Sequence, residues 1–440
     1  MVKYDIIIVG GGPAGVVSAI TSKNYYPNKK ILLIKNVNRG VIPCGIPYIL
    51  NSLKSCTDNE LGYSPLEKKG INVITGTVKN IDKKNKKVIT AKSKFTYNKL
   101  ILATGSIPLI PPIEGIDKIG VYPVRKDMNY LKKIKRIIKK SKNVVLLGGG
   151  YIGVEFADEI SDIGNKKITL IEMLPRILNS SSPEFSDKIK SILERKKVKI
   201  MTNSKVTKIL GDKKVNSVKV GSKKIKADVV ILGAGAGSNY SLAEKAGLKT
   251  RGKSIFVDKF QRTSDKNIFA VGDCAYKRDF ITSEQSRALL ASSACNEARI
   301  ACKNLFSKKI KNLGTIGIYS TKVGDISLGA AGITEKRANK ENIKVIVGSS
   351  SSPDKHPGKM PGTKIINMKL IFSRKNKTII GAEILGGDSI GEIINIAGLA
   401  IQNKLNAEDI VNLEIGTHPK LTPPPTKYPL IMAAQDALSK

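Results

Sequence analysis

The sequence predicts an α/β fold with two Rossmann-like parallel-sheet units and a C-terminal α+β unit. Two stretches share one succession: an apolar strand, a glycine-rich turn, a helix and a second apolar strand. Parallel strands covered on both faces form continuous apolar runs of this kind. From about Gly314 the pattern changes to paired strands, at 363–373 and 378–385, followed by an apolar helix at 390–402. This change predicts the third unit.

The composition is typical of a soluble globular chain with more than one domain. The chain has 440 residues, of which 41% are hydrophobic and 25% charged, and this length exceeds what one core supports. No apolar run approaches the roughly 20 residues that cross a bilayer, and the first one, Ile6–Val9, lacks the features of a signal peptide. Five scattered cysteines do not form a disulfide framework. We therefore expect a cytoplasmic protein with no membrane partner.

The formal net charge of +39 permits nucleic acid, a membrane surface or polyanionic small molecules as partners. Most of this charge is lysine spread along the chain, without the aromatic or arginine-rich patches of nucleic-acid readers. We expect no nucleic-acid partner. The helix predicted at 127–142 has a basic face of this ordinary, solvated kind. A substrate carrying several phosphates would still be attracted to such a surface.

The first unit opens with a dinucleotide-binding fingerprint, which is credible because a strand precedes it and a helix and a second strand follow. Its three glycines make the tight turn, admit a pyrophosphate to the backbone and let the helix pack on the strand. The helix N-terminus would hold the phosphate. The parts are the strand Tyr4–Val9, the turn residues Gly10, Gly12, Pro13, Ala14 and Gly15, the helix Val16–Lys23 and the strand Ile31–Ile34.

One position departs from this fingerprint. The second strand should end in an acidic residue that binds a ribose hydroxyl, and the residue there is Lys35. Adenosine-ribose recognition must therefore differ in this chain, through Lys35, Asn36 or Arg39.

The same design recurs in the second unit, where the strand Ile168–Ile171 ends in the expected acid, Glu172. A carboxylate there indicates a free 2′-hydroxyl and so NADH over NADPH. Three nearby basic residues could accept a 2′-phosphate, which keeps NADPH possible: Lys166, Lys167 and Arg176. The predicted turn residues are Gly148, Gly150, Tyr151, Ile152 and Gly153.

A single thiol follows the first unit within the segment Val41–Tyr48, and Cys44 is the predicted reactive centre. Gly45 removes bulk beside the sulfur, and Pro47 predicts the first turn of a helix. Free N–H groups at a helix N-terminus would favour a thiolate and lower the pKa of Cys44. The alternative is a buried cysteine that acts as a small hydrophobic side chain.

Three more strands each end in a turn of small residues. They are Leu100–Leu102 before Ala103-Thr104-Gly105, Val229–Leu232 before Gly233-Ala234-Gly235, and Asn267–Val271 before Gly272-Asp273. The order in which these motifs follow one another indicates the protein family. Together they resemble the pyridine nucleotide-disulfide oxidoreductases over essentially the whole chain. The resemblance implies a homodimer with FAD bound by 1–113 and 253–313, NAD(P)H bound by 114–252, and dimerisation through 314–440. It implies no metal site. It also implies cofactor contacts from Val78, Ala103, Thr104, Gly105, Gly235, Gly272, Asp273 and Ala294.

The cysteine spacing decides the branch of this family. Members with a redox disulfide carry Cys-x4-Cys, but the partner positions around Cys44 are Arg39 and Ile49. Cys56 lies too far along the chain, and Cys295 and Cys302 lie about 10 Å apart on a predicted helix. The segment therefore resembles the single-cysteine branch, which contains coenzyme A-disulfide, persulfide and polysulfide reductases, NADH oxidases and NADH peroxidases.

The chain has two histidines, each followed by proline. The resemblance gives His418 the role of a base presented across the dimer interface to the cysteine of the partner subunit, whereas His356 is expected to be structural. Coenzyme A-disulfide reductases usually carry Tyr-Ala-Pro-Pro at this place. Its absence weighs against coenzyme A disulfide, although Tyr428 could lie nearby.

The resemblance implies that Tyr151 covers the nicotinamide site and Glu155 orients the nicotinamide. Electrons would pass from NADH through the flavin to Cys44 and then to a small-molecule disulfide or polysulfide, the acceptor we favour. Oxygen or peroxide, reduced through a sulfenic acid on Cys44, is the first alternative. A non-catalytic flavoprotein that senses NADH is an alternative from another class.

Overall fold

The computed structural model describes residues 2–440, and its first sheet has seven strands. Val2–Val9 lies near the middle and pairs in parallel with Ile31–Lys35 and with Lys94–Leu102. Ile268–Ala270 pairs in parallel with the end of Lys94–Leu102, so a late segment completes this sheet. The order of the other six strands is Asn72–Thr75, Ile31–Lys35, Val2–Val9, Lys94–Leu102, Lys87–Thr90 and Val78–Asp82.

The second sheet is parallel throughout. Its middle strand, Asn143–Leu147, pairs with Val229–Leu232 and with Lys167–Ile171. The order across the sheet is Val121–Pro123, Val229–Leu232, Asn143–Leu147, Lys167–Ile171 and Val198–Met201. A small antiparallel sheet follows, formed by Val206–Leu210, Ser217–Val220 and Lys223–Lys226.

The third sheet is antiparallel and confirms the change of pattern after Gly314. The predicted strand pair is present as Ile365–Ser373 and Ile379–Gly386. The helix Ile390–Gln402 covers the sheet with buried isoleucines and alanines, because its apolar residues recur at helical spacing. The order of strands is Tyr319–Val323, Ile326–Gly332, Ile379–Gly386, Ile365–Ser373 and Val345–Pro353.

Most helices connect strands and pack on the sheets. Met128–Lys140 shows why they form: Asp127 caps it by accepting a 2.7 Å hydrogen bond from the Tyr130 N–H, and its apolar side is buried. None of the helices within residues 2–440 is long and apolar enough to span a membrane. The α-helices are Pro13–Tyr25, Ser64–Lys68, Met128–Lys140, Tyr151–Asp162, Pro183–Arg195, Ser241–Lys245, Ala291–Lys303, Glu335–Lys340, Ile390–Gln402, Ala407–Val411 and Pro429–Leu438.

Several short elements lie outside the main sheets. Two-stranded ribbons pair Gly40–Val41 with Glu60–Leu61, Ser106–Pro108 with Ala236–Ser238, Thr250–Arg251 with Ser254–Ile255, and Lys277–Arg278 with Gln285–Ser286. Single 3-10 turns occur at Pro43–Gly45, Pro47–Ile49, Cys56–Asn59, Gly272–Cys274 and Pro425–Lys427.

Candidate functional site

The first glycine turn leaves an open helix N-terminus. Gly10 has a φ of +125°, and a Cβ there would lie 2.0 Å from the Ala103 carbonyl oxygen. A Cβ on Gly15 would lie 1.9 Å from the carbonyl oxygen of Gly10, whereas Gly12 faces open space. The helix Pro13–Tyr25 has no side-chain cap and no acid in its first turn. Its free N–H groups therefore fit a pyrophosphate.

The second glycine turn repeats this geometry. Gly148 has a φ of +108°, a Cβ on Gly153 would lie 1.9 Å from the Gly148 carbonyl oxygen, and Gly150 faces open space. The helix Tyr151–Asp162 again begins without a side-chain cap or an acid in its first turn. The two turns thus offer two places for a dinucleotide phosphate.

Glu172 lies beside the second turn, at the end of its strand as predicted. Its Oε2 accepts a 2.6 Å hydrogen bond from the Gly149 N–H, and its Oε1 accepts one of 2.8 Å from the Leu174 N–H. The carboxylate is thereby fixed next to the helix N-terminus. Each oxygen retains a lone pair that a ribose hydroxyl could use.

A third feature converges on the first turn. Gly272 has a φ of +76°, and a Cβ there would lie 3.0 Å from the Ala14 Cβ and 3.4 Å from the Ala294 Cβ. Ala294 belongs to the helix Ala291–Lys303, whose N-terminus also lacks a side-chain cap. The tertiary structure therefore brings Ala14, Gly272 and Ala294 together, although they are far apart in the sequence.

The next residue, Asp273, has a carboxylate held by two donors. Ser106 Oγ donates to Asp273 Oδ2 at 2.7 Å, and Lys126 Nζ lies 3.2 Å from the same oxygen. The carbonyl of Asp273 accepts from Ser238 Oγ at 2.6 Å. Thr104 lies two residues before Ser106, and the Thr104 hydroxyl donates to the Asn239 carbonyl at 2.6 Å. Gly105, between them, has a φ of +70°.

Lys35 is buried and turned towards the protein. Its ammonium group donates to the carbonyls of Val37 and Asn38 at 3.0 and 2.8 Å and to Thr75 Oγ1 at 3.0 Å. It also lies 4.6 Å from the centre of the Tyr63 ring. Because an ammonium has three donors, these contacts use all of them. Lys35 therefore holds the loop that follows the second strand.

Cys44 lies on a short, irregular segment, and the helix predicted to begin at Pro47 is present only as a single 3-10 turn. The chain forms two single 3-10 turns, Pro43–Gly45 and Pro47–Ile49, and Cys44 is inside the first. A proline begins each turn, and because Pro47 follows Pro43 by four residues it cannot donate the backbone hydrogen bond that an α-helix from Pro43 would require. Cys44 itself is exposed, which excludes the alternative of a buried hydrophobic cysteine.

Asn59 shapes this segment. It is buried, its Nδ2 donates to the Ile42 carbonyl at 3.1 Å, and its own carbonyl accepts from the Ile42 N–H at 3.1 Å. A Cβ on Gly45 would lie 1.9 Å from Asn59 Oδ1. Gly45 is therefore needed for the close approach of Asn59, and the two residues fix the backbone on either side of Cys44.

The environment of the thiol also corrects the predicted direction of its pKa. Loss of hydration raises the pKa of Cys44, and the carboxylates of Glu155 and Asp273 raise it further, while Lys126 lowers it. The segment around Cys44 forms single 3-10 turns, so no α-helix begins there to outweigh the loss of hydration. These surroundings therefore raise the pKa of Cys44 above its usual range.

Glu155 and Tyr151 lie on the first turns of the helix Tyr151–Asp162, and both contact the third sheet. Thr321 Oγ1 donates to Glu155 Oε1 at 2.7 Å. Burial raises the pKa of Glu155 to about 7, against the lowering effect of Thr321. The Tyr151 ring packs edge-on against Tyr319 with 4.7 Å between ring centres, and burial raises its pKa well above the usual value.

The two histidines lie on neighbouring loops. His418 is exposed, and its Nδ1 faces the Lys420 N–H at 3.3 Å. His356 is half-buried; its Nδ1 lies 3.2 Å from the Thr422 carbonyl, and its N–H donates to the Pro419 carbonyl. These contacts fit the structural role predicted for His356. A base role for His418 across a dimer interface stays a prediction.

The other cysteines form no disulfide: all five thiols are free, as the spacing predicted. Cys56, Cys274 and Cys302 are buried, and Cys295 is half-buried. Among residues 2–440, no group of three or more His, Cys, Asp or Glu side chains is placed to hold a metal ion.

The sequence did not identify several residues that shape the site. Asn59, Lys126 and Thr321 come from segments without a recognisable motif, and only the fold brings them near Cys44, Asp273 and Glu155. Glu159 is different. It lies four residues after Glu155 on the same helix face, and this spacing could have marked it as a neighbour of the site.

Two open dinucleotide turns, a third uncapped helix and one exposed thiol define a nicotinamide- and flavin-dependent oxidoreductase. The chain belongs to the pyridine nucleotide-disulphide oxidoreductase family: residues 4–298 match the family itself, and residues 318–427 match its dimerisation domain. The predicted fold and family are confirmed. FAD and NADH or NADPH are its cofactors, and the dimerisation domain indicates a homodimer.

Known relatives cover almost the whole chain. It is 33% identical to an NADH oxidase of Methanocaldococcus jannaschii over 446 residues, which cover 99% of this chain and 98% of the relative. It is 29% identical to an NAD(P)H coenzyme A polysulfide/persulfide reductase of Pyrococcus horikoshii, covering 90% and 91% of the two chains. The structure of an NAD-dependent persulfide reductase from A. fulgidus superposes with a TM-score of 0.92 at 26% identity, covering 99% of this chain and 83% of that one.

Proposed function

We propose that this oxidoreductase passes electrons from NAD(P)H through FAD and Cys44 to a small disulfide, coenzyme A disulfide, persulfide or polysulfide. The observation that carries the proposal is the exposure of Cys44 in a protein whose other cysteines are buried or half-buried. A thiol without a partner cysteine in its segment cannot close an internal disulfide there, so its sulfur chemistry involves an external molecule. The reductases among the relatives support this acceptor class.

The cofactors are proposed to lie at the two glycine turns. Residues 1–113 and 253–313 would form the FAD-binding domain, supported by the pairing of Ile268–Ala270 with Lys94–Leu102. Residues 114–252 would bind NAD(P)H, and 314–440 would form the dimer. The residues proposed to hold FAD are Gly10, Gly12, Pro13, Ala14, Gly15, Val78, Ala103, Thr104, Gly105, Gly272, Asp273 and Ala294. Those proposed to hold NAD(P)H are Gly148, Gly150, Tyr151, Ile152, Gly153, Glu172 and Gly235.

Lys35 is proposed to act on FAD through the loop that it holds. Its three hydrogen bonds leave no donor for a ribose hydroxyl. Of the three candidates for adenosine-ribose recognition, Asn36 and Arg39 therefore remain. Both line a cavity of about 240 Å³ together with Thr75.

FAD supplies hydride acceptance from NAD(P)H and two-electron reduction of sulfur. The protein's part begins when the Cys44 thiol loses its proton and the resulting thiolate attacks one sulfur of the acceptor. A bond forms between Cys44 and that sulfur, the S–S bond of the acceptor breaks, and the other half leaves as a thiolate that takes up a proton. Two electrons then cleave the bond between Cys44 and the retained half, which restores the Cys44 thiolate and releases the retained half as a second thiolate that takes up a proton.

Three further side chains are proposed to assist these reaction steps. Tyr151 would cover the nicotinamide site and Glu155 would orient the nicotinamide, since both lie at the start of the helix that follows the second glycine turn. His418 of the second subunit would protonate the leaving thiolate. For localisation we propose the cytoplasm, which agrees with five free thiols.

A second candidate is the reduction of oxygen or peroxide, favoured by the NADH oxidase to which the chain is 33% identical. Here the Cys44 thiolate would attack one oxygen of peroxide, break the O–O bond and release water after protonation. The resulting sulfenic acid returns to the thiolate and water on two-electron reduction. The same residues serve both chemistries.

An anaerobic titration with NADH, followed by visible spectroscopy, tests the role of Cys44. The native protein should develop a long-wavelength absorption band from a thiolate against the flavin, and the Cys44→Ser variant should lack it while its flavin is still reduced. Cys56→Ser serves as a matched control because that thiol is buried. Flavin reduction without such a band in either protein would contradict the proposal and favour an NADH-sensing flavoprotein.

Steady-state assays with polysulfide, coenzyme A disulfide, peroxide and oxygen then rank these acceptors by kcat/KM. A sulfur acceptor should give the highest kcat/KM, and Cys44→Ser should lose at least about a hundredfold of that value. Preference for oxygen or peroxide, with trapping of a sulfenic acid on Cys44, would establish the second candidate instead.

A further inference from the structure

A buried ion pair lies directly behind the turn that carries Asp273. Lys277 Nζ lies 3.3 Å from Glu297 Oε1, and the two side chains are only 2% and 3% exposed. Lys277 belongs to the ribbon after the turn, and Glu297 to the helix Ala291–Lys303. No step of the proposed chemistry uses this pair.

Both charges also bind the backbone of one residue, Gly272. Lys277 Nζ donates to the Gly272 carbonyl at 2.6 Å, and Glu297 Oε2 accepts from the Gly272 N–H at 2.7 Å. The pair therefore holds both polar groups of one residue. Gly272 has a φ of +76°, which glycine adopts without penalty. Because glycine adopts many other conformations equally well, neighbouring groups must select this one.

The position of Gly272 makes this contact consequential. Its Cα lies where the first glycine turn and the helix Ala291–Lys303 meet, with Ala14 and Ala294 as neighbours. The following residue, Asp273, directs its carboxylate to Ser106 and Lys126. A rotation about the backbone of Gly272 would turn the Gly272–Asp273 peptide and therefore move the Asp273 carboxylate away from both donors.

Stability by itself does not explain a pair of this kind. Burying two charges costs more free energy than burying apolar side chains of similar size, so buried ion pairs add little to stability. Here the two charged groups act as strong hydrogen-bond partners for the two peptide groups on either side of the Gly272 Cα. That arrangement fixes a local geometry.

We propose that Lys277 and Glu297 are positioning residues for FAD, which fix the backbone conformation of Gly272 so that Asp273 faces the cofactor. The inference rests on the proposed placement of FAD at Asp273. The proposed role of Lys277 and Glu297 affects the affinity for FAD and the geometry in which the flavin is bound. Both residues act through Gly272 and Asp273 and not by contact with the cofactor.

Two double variants separate this role from a general effect on folding. Both replace Lys277 by Met, and they differ at residue 297. Lys277→Met/Glu297→Gln retains an oxygen that accepts from the Gly272 N–H, whereas Lys277→Met/Glu297→Leu does not. The FAD dissociation constant, measured by fluorescence on reconstitution of the apoprotein, should rise about threefold in the first and at least about thirtyfold in the second.

Cys302→Ala provides the control for stability. Cys302 is buried on the same helix and contacts Ser18 and Ser22, not Gly272. This variant should lower the unfolding temperature and leave the FAD dissociation constant within about twofold. An equal loss of FAD in Cys302→Ala, or native affinity in Lys277→Met/Glu297→Leu, would overturn the proposal. If the leucine variant does not fold, native affinity and a native flavin spectrum in the glutamine variant would overturn it.

Asp273→Ala tests the placement of FAD independently. Unchanged FAD affinity in this variant would show that the placement is at fault. Weakened binding in Asp273→Ala together with native binding in both double variants would instead reject the positioning role and leave the placement intact.

Discussion

Ser52 and Glu159 join the segment of Cys44 to the second dinucleotide unit. The Ser52 N–H donates to Glu159 Oε2 at 2.8 Å, and the Ser52 hydroxyl donates to Glu159 Oε1 at 2.5 Å. The Asn51 N–H adds a third hydrogen bond of 3.2 Å to Oε2. Glu159 is buried, so these bonds form in a medium of low polarity. They tie the thiol segment to the helix that carries Tyr151 and Glu155.

Glu159→Gln should weaken this connection. A neutral amide accepts hydrogen bonds less strongly than a carboxylate, and its NH₂ group would face a donor, so we expect the free energy of unfolding to fall by about 2 kcal/mol. Urea denaturation measures this value. Ser52→Ala removes only the hydroxyl contact and should cost about 1 kcal/mol. An equal or larger loss in Ser52→Ala would show that the carboxylate is not the anchor.

Glu155 should make stability depend on pH. Burial raises its pKa from 4.5 to about 7, so the folded protein binds this proton more tightly than the unfolded chain. The resulting stabilisation is complete below pH 4.5 and is lost as the pH rises through about 7. Linkage gives a loss on the order of 3 kcal/mol from this group.

Glu155→Gln is the matched control for that effect. Glutamine can still accept the hydrogen bond from Thr321 but does not titrate. The difference in unfolding free energy between the variant and the native apoprotein should therefore change between pH 5 and pH 8, in favour of the variant at high pH. A difference that is independent of pH would contradict the raised pKa of Glu155.

Glu172 should determine the preference for NADH over NADPH. A carboxylate at this position accepts from a ribose 2′-hydroxyl and repels a 2′-phosphate. Glu172→Gln should lower the ratio of kcat/KM for NADH to that for NADPH about tenfold, as steady-state assays with both coenzymes would measure. Arg176→Met should change the ratio in the opposite direction. An unchanged ratio in Glu172→Gln would remove Glu172 from coenzyme recognition.

Mixed dimers can show whether His418 acts across the subunit interface. Cys44→Ser and His418→Gln homodimers should both be impaired. If each site uses Cys44 of one subunit and His418 of the other, a heterodimer of the two variants contains one intact site. Mixing after reversible dissociation should then restore activity towards half of the native value per heterodimer. No recovery, with heterodimers confirmed by mass, would place His418 outside the site of the second subunit.

The sequence predicted the strands and the glycine turns well because their signals are local. Apolar runs such as Ile6–Val9 must be buried, and Gly10, Gly15, Gly148 and Gly153 occur where a Cβ would collide with backbone. Such constraints act over a few residues. The third sheet was predicted for the same reason, since its strand pair and its helix each carry their own periodicity.

The conformation around Cys44 could not be predicted in this way. The prolines and glycine between Pro43 and Pro47 permit several turns, and buried Asn59 decides between them by binding Ile42. The pKa of Cys44 likewise depends on Glu155, Asp273 and Lys126, which come from three distant segments. A helix-based estimate from neighbours in sequence therefore gave the wrong direction.

By itself, the sequence determined the α/β class, the two dinucleotide turns, the single thiol and the family, because each depends on side-chain size or spacing within a short stretch. Only the tertiary structure decided which groups Lys35 contacts, that Ser52 binds Glu159, and that Lys277 and Glu297 form a buried pair. These features depend on which distant groups become neighbours. Burial then sets the strength of each contact, since the free energy of a charge depends on its surroundings more than on its place in the chain.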